Sequence, residues 1–357
     1  MKIVALTRPP SIDASSRHRV YQFVNILKKK YNIDVCVIPY YTNEEFEAYK
    51  KNQLSIWRLS KIFARRISQL TKINKYDIVW ISRGVLPIEL VSLVKLLSKN
   101  SKIVYDFDDA IYLNEGSFRI RRLLARSWIS VPKYTKLANA VLVGNYNLAN
   151  WARQLNQNVT VVPTVLSVND YPVKKYSEDR SDNFTIGWIG TISTAPNLEI
   201  IRSSLLRLSE KNEIRFVEIG ANYFKDLNHS NFSYLHVPWS EKNQTKWLSE
   251  FDVGVAPLYN SEFNLGKCGF KIIQYMASGI PVIGSPVGVQ SQIIQHNATG
   301  FLANSEEEWF EYFTILLKNH KIRNNFGNKA RQVAEQNYDV QVAAKEIHQV
   351  FSKLMKN

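Results

Sequence analysis

The stretch NLGKCGFKIIQYMASGIPVIGSPVG, residues 264–288, gathers the residue types that can hold and activate a phosphate. Gly266, Lys267 and Gly269 precede or open the helical run FKIIQYMAS. The first backbone N–H groups of such a run have no partner within the helix and attract anions, phosphate above all. Phe270, Ile273 and Ala277 fall on one face, whereas Lys271 and Gln274, three apart, share another. Gly279 supplies a left-handed stop, and residues 280–283 read as a buried strand. One reading is a phosphate seat with polar side chains aimed beside it. The other is an ordinary amphipathic helix with surface lysines.

The elements that must position this helix are legible as an alternation. KIVALT, IDVCVIPY, DIVWISR, KIVYDFDD, AVLVGN and VTVVPT are apolar strand-like runs separated by helical segments such as LPIELVSLVKLLSK and YNLANWARQL. Ser15 and Ser16 are placed to cap a helix running through Lys28. Continuous apolar strands alternating with helices argue a parallel sheet covered on both faces. LSVNDYPVKKYSEDRSDN, residues 166–183, is polar and aperiodic and reads as a linker. The pattern then restarts with FTIGWIG, RFVEIG, YLHVPW, FDVGVAPL, IPVIGSP and FLANS. The expected organisation is α/β: a doubly wound Rossmann-like domain over 1–168, a linker over 169–183, a second such domain over 184–338, and a closing amphipathic helix over 339–357, free to cross back to the first domain. Ligands of such folds sit at the carboxyl ends of the strands, here in a cleft that the two domains would face.

The charge is unevenly spread. Of the net +15, residues 1–170 carry 26 Lys and Arg against 12 Asp and Glu, a net +14, and residues 171–357 carry 20 against 19, a net +1. An excess confined to one half points to a polyanion or an anionic membrane facing the N-terminal domain. Glycine divides the other way, with eleven of fourteen from Gly187 onward. The loop after the first strand, TRPPSIDASSRHR, has no GxGxxG turn, which argues against a classical dinucleotide site there. The two cysteines, Cys36 and Cys268, form no CxxC pair, so neither a disulfide framework nor a zinc site is indicated. No run reaches the 18 or so apolar residues of a membrane span, and MKIVALTRPPS lacks the core of a signal peptide, so a cytoplasmic protein is expected.

In the second half, IGWIGTISTAPNLEII, FDVGVAPL, GKCGFKIIQYMASGIPVIGSPVG and HNATGFL follow one another over most of residues 184–303. This succession resembles the GT-B glycosyltransferases, specifically the retaining group called family 4. SSRHRVYQFVNIL, the arginine ending DIVWISR, and VYDFDDAIY look like the matching N-terminal elements of bacterial surface-polysaccharide members. The resemblance implies a nucleotide sugar on the C-terminal domain and an acceptor on the N-terminal one. It implies that Gly190 and Thr191 approach the diphosphate at a strand end, with Gly220, which closes RFVEIG, in the same donor-binding set. Gly269 and Phe270 would offer backbone amides to the distal phosphate. Lys271 would answer the charge of the leaving diphosphate, with help from Lys267. The family commonly carries two carboxylates with seven residues between them around this helix; here those positions are Gly266 and Gln274. Gln274 retains hydrogen bonding to a ribose diol without charge assistance. ISTAPNLEI also lacks the Arg and Lys that many members place after the first strand of this domain.

In the first half, Asp106, Asp108 and Asp109 form DFDD. No metal is expected, because GT-B proteins neutralise charge with helix mouths and basic side chains and no further His or acid completes a ligand set. Asp106 or Asp108 would orient or deprotonate the acceptor hydroxyl, with strand-end capping as the rival role. Ser16, Arg17, Arg19, Arg83 and Asp109 complete the acceptor set; the arginines would grip an acceptor phosphate or, alternatively, pair with the DFDD acids.

LSIWRLSKIFARRISQLTKI and FRIRRLLARSWIS interleave aromatic and basic residues at helical spacing, as interfacial helices do. Trp57, Arg58, Arg65, Arg66, Arg119, Arg121, Arg122 and Arg126 are the residues expected to meet an anionic membrane, and Trp128 also suits the headgroup region; packing against the sheet is the alternative. The favoured function is transfer of a sugar from a nucleotide-diphosphate sugar to a lipid-linked or surface-glycan acceptor, without metal or cofactor, by a bacterial protein peripheral on the inner face of the cell membrane. The rival is a non-catalytic polyanion- or membrane-binding protein on the same fold. Nucleic-acid binding lacks any recognition motif.

Overall fold

The computed structural model describes residues 1–86, 90–113, 127–176, 184–227, 231–241 and 243–356. It divides into two compact units: Met1–Thr164, Gly266–Cys268 and Val340–Asn357 form the first, and Val165–Leu265 with Gly269–Asp339 the second. Each contains one six-stranded sheet.

The first sheet is built from β1 (Lys2–Thr7), β2 (Asp34–Pro39), β3 (Ile78–Ser82), β4 (Lys102–Phe107), β5 (Ala140–Val143) and β6 (Val159–Val161), in the order β2-β1-β3-β4-β5-β6. All its pairings are parallel. β1, β3, β4 and β5 are buried almost throughout, which is why they read as unbroken apolar runs. The order reverses between β1 and β3, so the loops after these two strands flank a crevice at the carboxyl edge of the sheet. After β1, Asp13 rather than Ser15 or Ser16 caps the helix, its carboxylate accepting from the Ser15 and Ser16 N–H groups. The helix passes through a π-helical stretch, Arg17–Tyr21, into Gln22–Tyr31. The closing helix, Val340–Lys356, belongs to this unit. Phe351 is fully buried with its ring 5.4 Å from that of Trp80, and His348 stacks on Tyr31 at 4.1 Å.

The second sheet contains β7 (Phe184–Gly190), β8 (Ile214–Gly220), β9 (Phe232–Val237), β10 (Val253–Ala256), β11 (Val282–Gly284) and β12 (Gly300–Leu302), in the order β12-β11-β10-β7-β8-β9. It too is parallel, and its reversal lies between β7 and β10. The segment expected to be a linker is packed where it is described. Leu166, Val168 and Tyr171 join the core of the second unit, and Lys174 makes a buried ion pair with Asp252 at 3.1 Å.

The closing helix contributes core to the first unit, and Phe351→Ala should cost about 3–5 kcal/mol. Denaturant unfolding followed by tryptophan fluorescence measures this, and a loss below about 1 kcal/mol would show that the helix is dispensable to that core.

Candidate functional site

At the reversal in the second unit, β7 and β10 pair only through Ile186 with Val253 and Gly187 with Gly254. Beyond that point the Ile189 N–H donates to the Tyr275 hydroxyl at 3.0 Å, and that hydroxyl donates to the Val255 carbonyl at 3.3 Å. A side chain thus satisfies the backbone groups that the diverging strands leave behind. Burial pushes the Tyr275 hydroxyl above its ordinary value, so it remains a donor. Tyr275 belongs to the helix Phe270–Ala277, which is thereby fastened to both strands at the crevice.

Gly190 and Gly220 face each other across the ends of β7 and β8. Gly220 has φ +101°, and a Cβ there would stand 2.3 Å from the Gly190 carbonyl oxygen. A Cβ on Gly190 would stand 2.4 Å from the Trp188 ring. Thr191 follows, exposed, its N–H donating to Thr194 Oγ1 at 3.2 Å and its hydroxyl bonded to that of Ser193. Gly269, with φ +66°, stands at the N-cap of the helix, Phe270 packs against the core, and the Lys271 ammonium lies 4.2 Å from the Trp188 ring centroid. The expected donor residues Gly190, Thr191, Gly220, Gly269, Phe270 and Lys271 therefore all lie in the second unit, most of them at the carboxyl edge of its sheet.

Gln274 is buried. Its amide donates to the Gln244 Oε1 at 3.1 Å and to the Tyr171 hydroxyl at 3.3 Å. Trp239 Nε1–H, a donor only, also points at Gln244 Oε1, at 3.2 Å. The indole therefore decides which end of Gln244 is oxygen, and that oxygen in turn decides which end of Gln274 is nitrogen. Tyr171, Trp188, Trp239, Gln244 and Tyr275 were not singled out from the sequence. The adjacency of an aromatic to a glycine strand end in GWIG was the one available signal.

In the first unit, residues 266–268 settle on the DFDD turn. Asn145 Nδ2 donates to the carbonyls of Gly266 and Lys267 at 2.9 and 3.0 Å, and Cys268 Sγ donates to the Asp108 carbonyl at 2.9 Å. A Cβ on Gly266 would meet the Ala110 Cβ at 2.6 Å and its backbone nitrogen at 2.9 Å, so a carboxylate has no room there. Burial, then Asp108, pushes the Cys268 thiol well above its ordinary value, leaving it a protonated donor.

The expected acceptor residues are bound to one another. Arg19 holds Asp106 through two hydrogen bonds of 2.9 and 3.0 Å and also donates to the Val162 carbonyl; both side chains are 1% exposed. This pair serves the core, which corrects its assignment to acceptor contact and to catalysis: neither group reaches the surface. Ser16 is buried too, its hydroxyl donating to the Pro9 carbonyl at 2.9 Å. Arg17 is half-buried. Arg83 stands just after β3 with φ +63°, a conformation costing on the order of 1 kcal/mol for such a residue. Its guanidinium reaches Asp108 at 2.7 and 3.0 Å and Asp109 at 3.2 Å, and Lys267 reaches Asp109 at 3.0 Å. Burial pushes the Asp108 carboxyl up, but Arg83, Arg19 and the hydrogen bonds from Arg83 and Ser15 more than reverse this and hold it below the usual range. A carboxylate so held is a weak base. Among the described residues no three His, Cys, Asp or Glu side chains gather to hold a metal ion.

On the helix Ile56–Leu70, Arg66 is fully buried, its guanidinium donating to the Ile38 and Thr7 carbonyls, so it cannot meet a membrane. Arg65 is bound to Glu45 and the Tyr40 carbonyl. Ile56 and Trp57 are 86% and 68% exposed, and Arg58 is exposed beside them. Arg119, Arg121, Arg122 and Arg126 lie outside the described residues. No helix among the described residues is long and apolar enough to cross a membrane.

Asp108 titrates near 3.9 when unfolded and lower when folded, so its ion pair stabilises the fold above that range and is lost as pH falls through the folded value. Arg83→Gln should therefore be less stable than wild type by a margin widest near neutrality and narrowing below about pH 4. Thermal melts from pH 7 to 3 measure the margin; a constant gap would remove Asp108 from the partnership.

Residues 183–319 match the family described as glycosyl transferases group 1. A GDP-Man:Man(3)GlcNAc(2)-PP-Dol alpha-1,2-mannosyltransferase of Dictyostelium discoideum is 30% identical over 262 residues, covering 64% of this chain and 50% of that protein. The capsular polysaccharide biosynthesis glycosyltransferase CapM of Staphylococcus aureus is 21% identical over 197 residues, covering 51% of this chain and 50% of its own length. The chain thus spans about half the length of these curated relatives. Among solved structures, Anabaena HepE in complex with UDP and glucose superimposes with a TM-score of 0.70 at 14% identity, over 99% of this chain and all of its own. Staphylococcal TarM gives 0.62 at 12%, over 98% of each. These superpositions establish the two-domain GT-B fold.

Proposed function

We propose, from the match of residues 183–319 to glycosyl transferases group 1 and from the GT-B fold of the chain, that it transfers a sugar from a nucleoside-diphosphate sugar to a glycan acceptor carried on a lipid or destined for the cell surface. The observation that carries this reading is the β7/β10 crevice, where two glycine strand ends and a helix mouth bearing Lys271 converge without any carboxylate in the first helical turn. When the sugar–phosphate bond breaks, the departing diphosphate gains charge. Backbone N–H groups at the helix mouth and the Lys271 ammonium are suited to stabilise that charge in the transition state. Nothing in this scheme requires a metal ion. Retention of configuration follows from the family resemblance. The lipid-linked acceptor is suggested by the dolichol-linked glycan in the name of the Dictyostelium relative, and a surface glycan by the role named for CapM.

Calorimetric titration with UDP, GDP and CMP in excess EDTA tests the donor half. One nucleoside diphosphate should bind in the micromolar range without metal. Absence of binding by both UDP and GDP, or binding restored only by manganese, would overturn it. Binding without any sugar transfer would favour a non-catalytic GT-B protein, a reading to which the lack of room for a carboxylate at Gly266 gives some support.

Association with the inner face of a bacterial membrane belongs to the same proposal. It rests on the excess of basic residues in the first half and on the exposed Ile56, Trp57 and Arg58, where Lys61 stands 5.0 Å from the Trp57 ring. A pelleting assay with vesicles of rising phosphatidylglycerol content should show increasing binding that salt weakens, since exposed charges act over about 8 Å at physiological ionic strength. Trp57→Ala combined with Arg58→Glu should reduce it. Equal partitioning onto neutral and anionic vesicles would refute the electrostatic docking.

A further inference from the structure

We propose that Trp188 is a positioning residue that fixes Lys271 at the distal phosphate of a bound nucleoside diphosphate; this rests on the donor reading above. The Lys271 ammonium stands 4.2 Å from the centroid of the Trp188 ring. A lysine is a point charge on a flexible four-carbon stem, and holding it in one place costs rotamer entropy each time a ligand arrives. An indole face offers the strongest cation–π seat among the side chains, and its strength rises when the pair is withdrawn from water. With the ammonium already resting on the ring, ordering of the stem precedes nucleotide binding.

Three features show that the ring is kept in place for its face. Trp188 is fully buried, in the core that also holds Phe184, Ile186 and Ala195. Its indole N–H finds no hydrogen-bond partner among the described residues. An unpaired buried donor is destabilising, and a phenylalanine would line the same core without one. What tryptophan adds is the larger and more electron-rich ring beneath the lysine. Finally, Gly190 gives up its Cβ space to this ring, since a Cβ would stand 2.4 Å from both Cη2 and Cζ2. The glycine that the resemblance assigns to diphosphate approach therefore also seats the indole under Lys271. Trp188 itself need touch no substrate.

The test compares wild type, Trp188→Phe and Trp188→Leu. Calorimetry with UDP and UMP, and with GDP and GMP, reads the contribution of the distal phosphate as the ratio of the two dissociation constants. Leucine should reduce that ratio roughly tenfold while leaving monophosphate binding unchanged, and phenylalanine should retain most of it. Unchanged monophosphate binding also verifies that each variant is folded. In parallel, proteins reductively methylated with carbon-13 report the ring directly: the Lys271 methyl resonance, assigned by its loss in Lys271→Arg, should be shifted by the indole ring current in wild type. The shift should be smaller with phenylalanine and absent with leucine. A wild-type Lys271 resonance at the position of exposed lysines overturns the inference, and so does a diphosphate preference that survives Trp188→Leu. A wild type that prefers neither diphosphate to its monophosphate overturns the donor reading itself, and this inference with it.

Discussion

The hydroxyl of Tyr275 closes the one gap on which the second domain depends. Parallel strands whose connections run in opposite directions must separate at the point of reversal, and there β7 and β10 stop pairing after Gly187 and Gly254. Separation creates the crevice that α/β folds use for ligands, but it strips backbone groups of their ladder partners in a buried place. Tyr275 accepts from one strand and donates to the other, which satisfies both and pins its own helix to the crevice. The helix mouth, with Gly269 and Lys271, is held near the glycine strand ends by this bond. Phenylalanine at this position would keep the packing and leave two backbone groups stranded.

In the first domain the governing constraint is neutralisation. Burying Asp106 pushes its carboxyl up even with Arg19 beside it, so the pair is tolerable only because the guanidinium meets it with two hydrogen bonds. Asp108 and Asp109 are matched in the same way by Arg83 and Lys267. Arg83 adopts a left-handed backbone to do so, stabilised where its N–H donates to the Asp106 carbonyl and its own carbonyl accepts from Tyr105. Three acids and three bases thus cancel locally. The net positive charge of the first half must reside elsewhere on its surface, which keeps the argument for an anionic partner independent of these residues.

Much of this was legible in the sequence because strand burial and helix period are written in residue type. Unbroken runs such as KIVALT and IPVIG announce parallel strands, and a glycine before FKIIQYMAS announces a helix mouth. What stayed hidden was direction and partnership. Arg66 lies in a basic amphipathic pattern, yet it points inward, its Nη1 and Nη2 donating to the Ile38 and Thr7 carbonyls at the ends of β2 and β1. The polar stretch after Leu166 reads as a linker because sequence cannot show that Lys174 will find Asp252. Nor does the spacing distinguish ion-paired acids from poised ones: DFDD reads the same whether Arg19 and Arg83 approach it or a substrate does.

The departures from the family pattern follow from the same partnerships. A glutamate at position 274 would set an acceptor against Gln244 Oε1, whose orientation is already fixed by the donor-only indole of Trp239. It would also bury a charge in the place that Gln274 now occupies. The neutral amide fits, donating to both neighbours. The first turn of the Phe270–Ala277 helix carries no acidic residue, and the Trp188 ring lies 4.2 Å from the Lys271 ammonium. A carboxylate in that turn would neutralise a lysine beside it, whereas an aromatic face attracts the ammonium without cancelling its charge. The glutamine at 274 and the ring beside Lys271 are thus each explained by their own neighbours, Gln244 and Tyr171 for the one and the indole of Trp188 for the other.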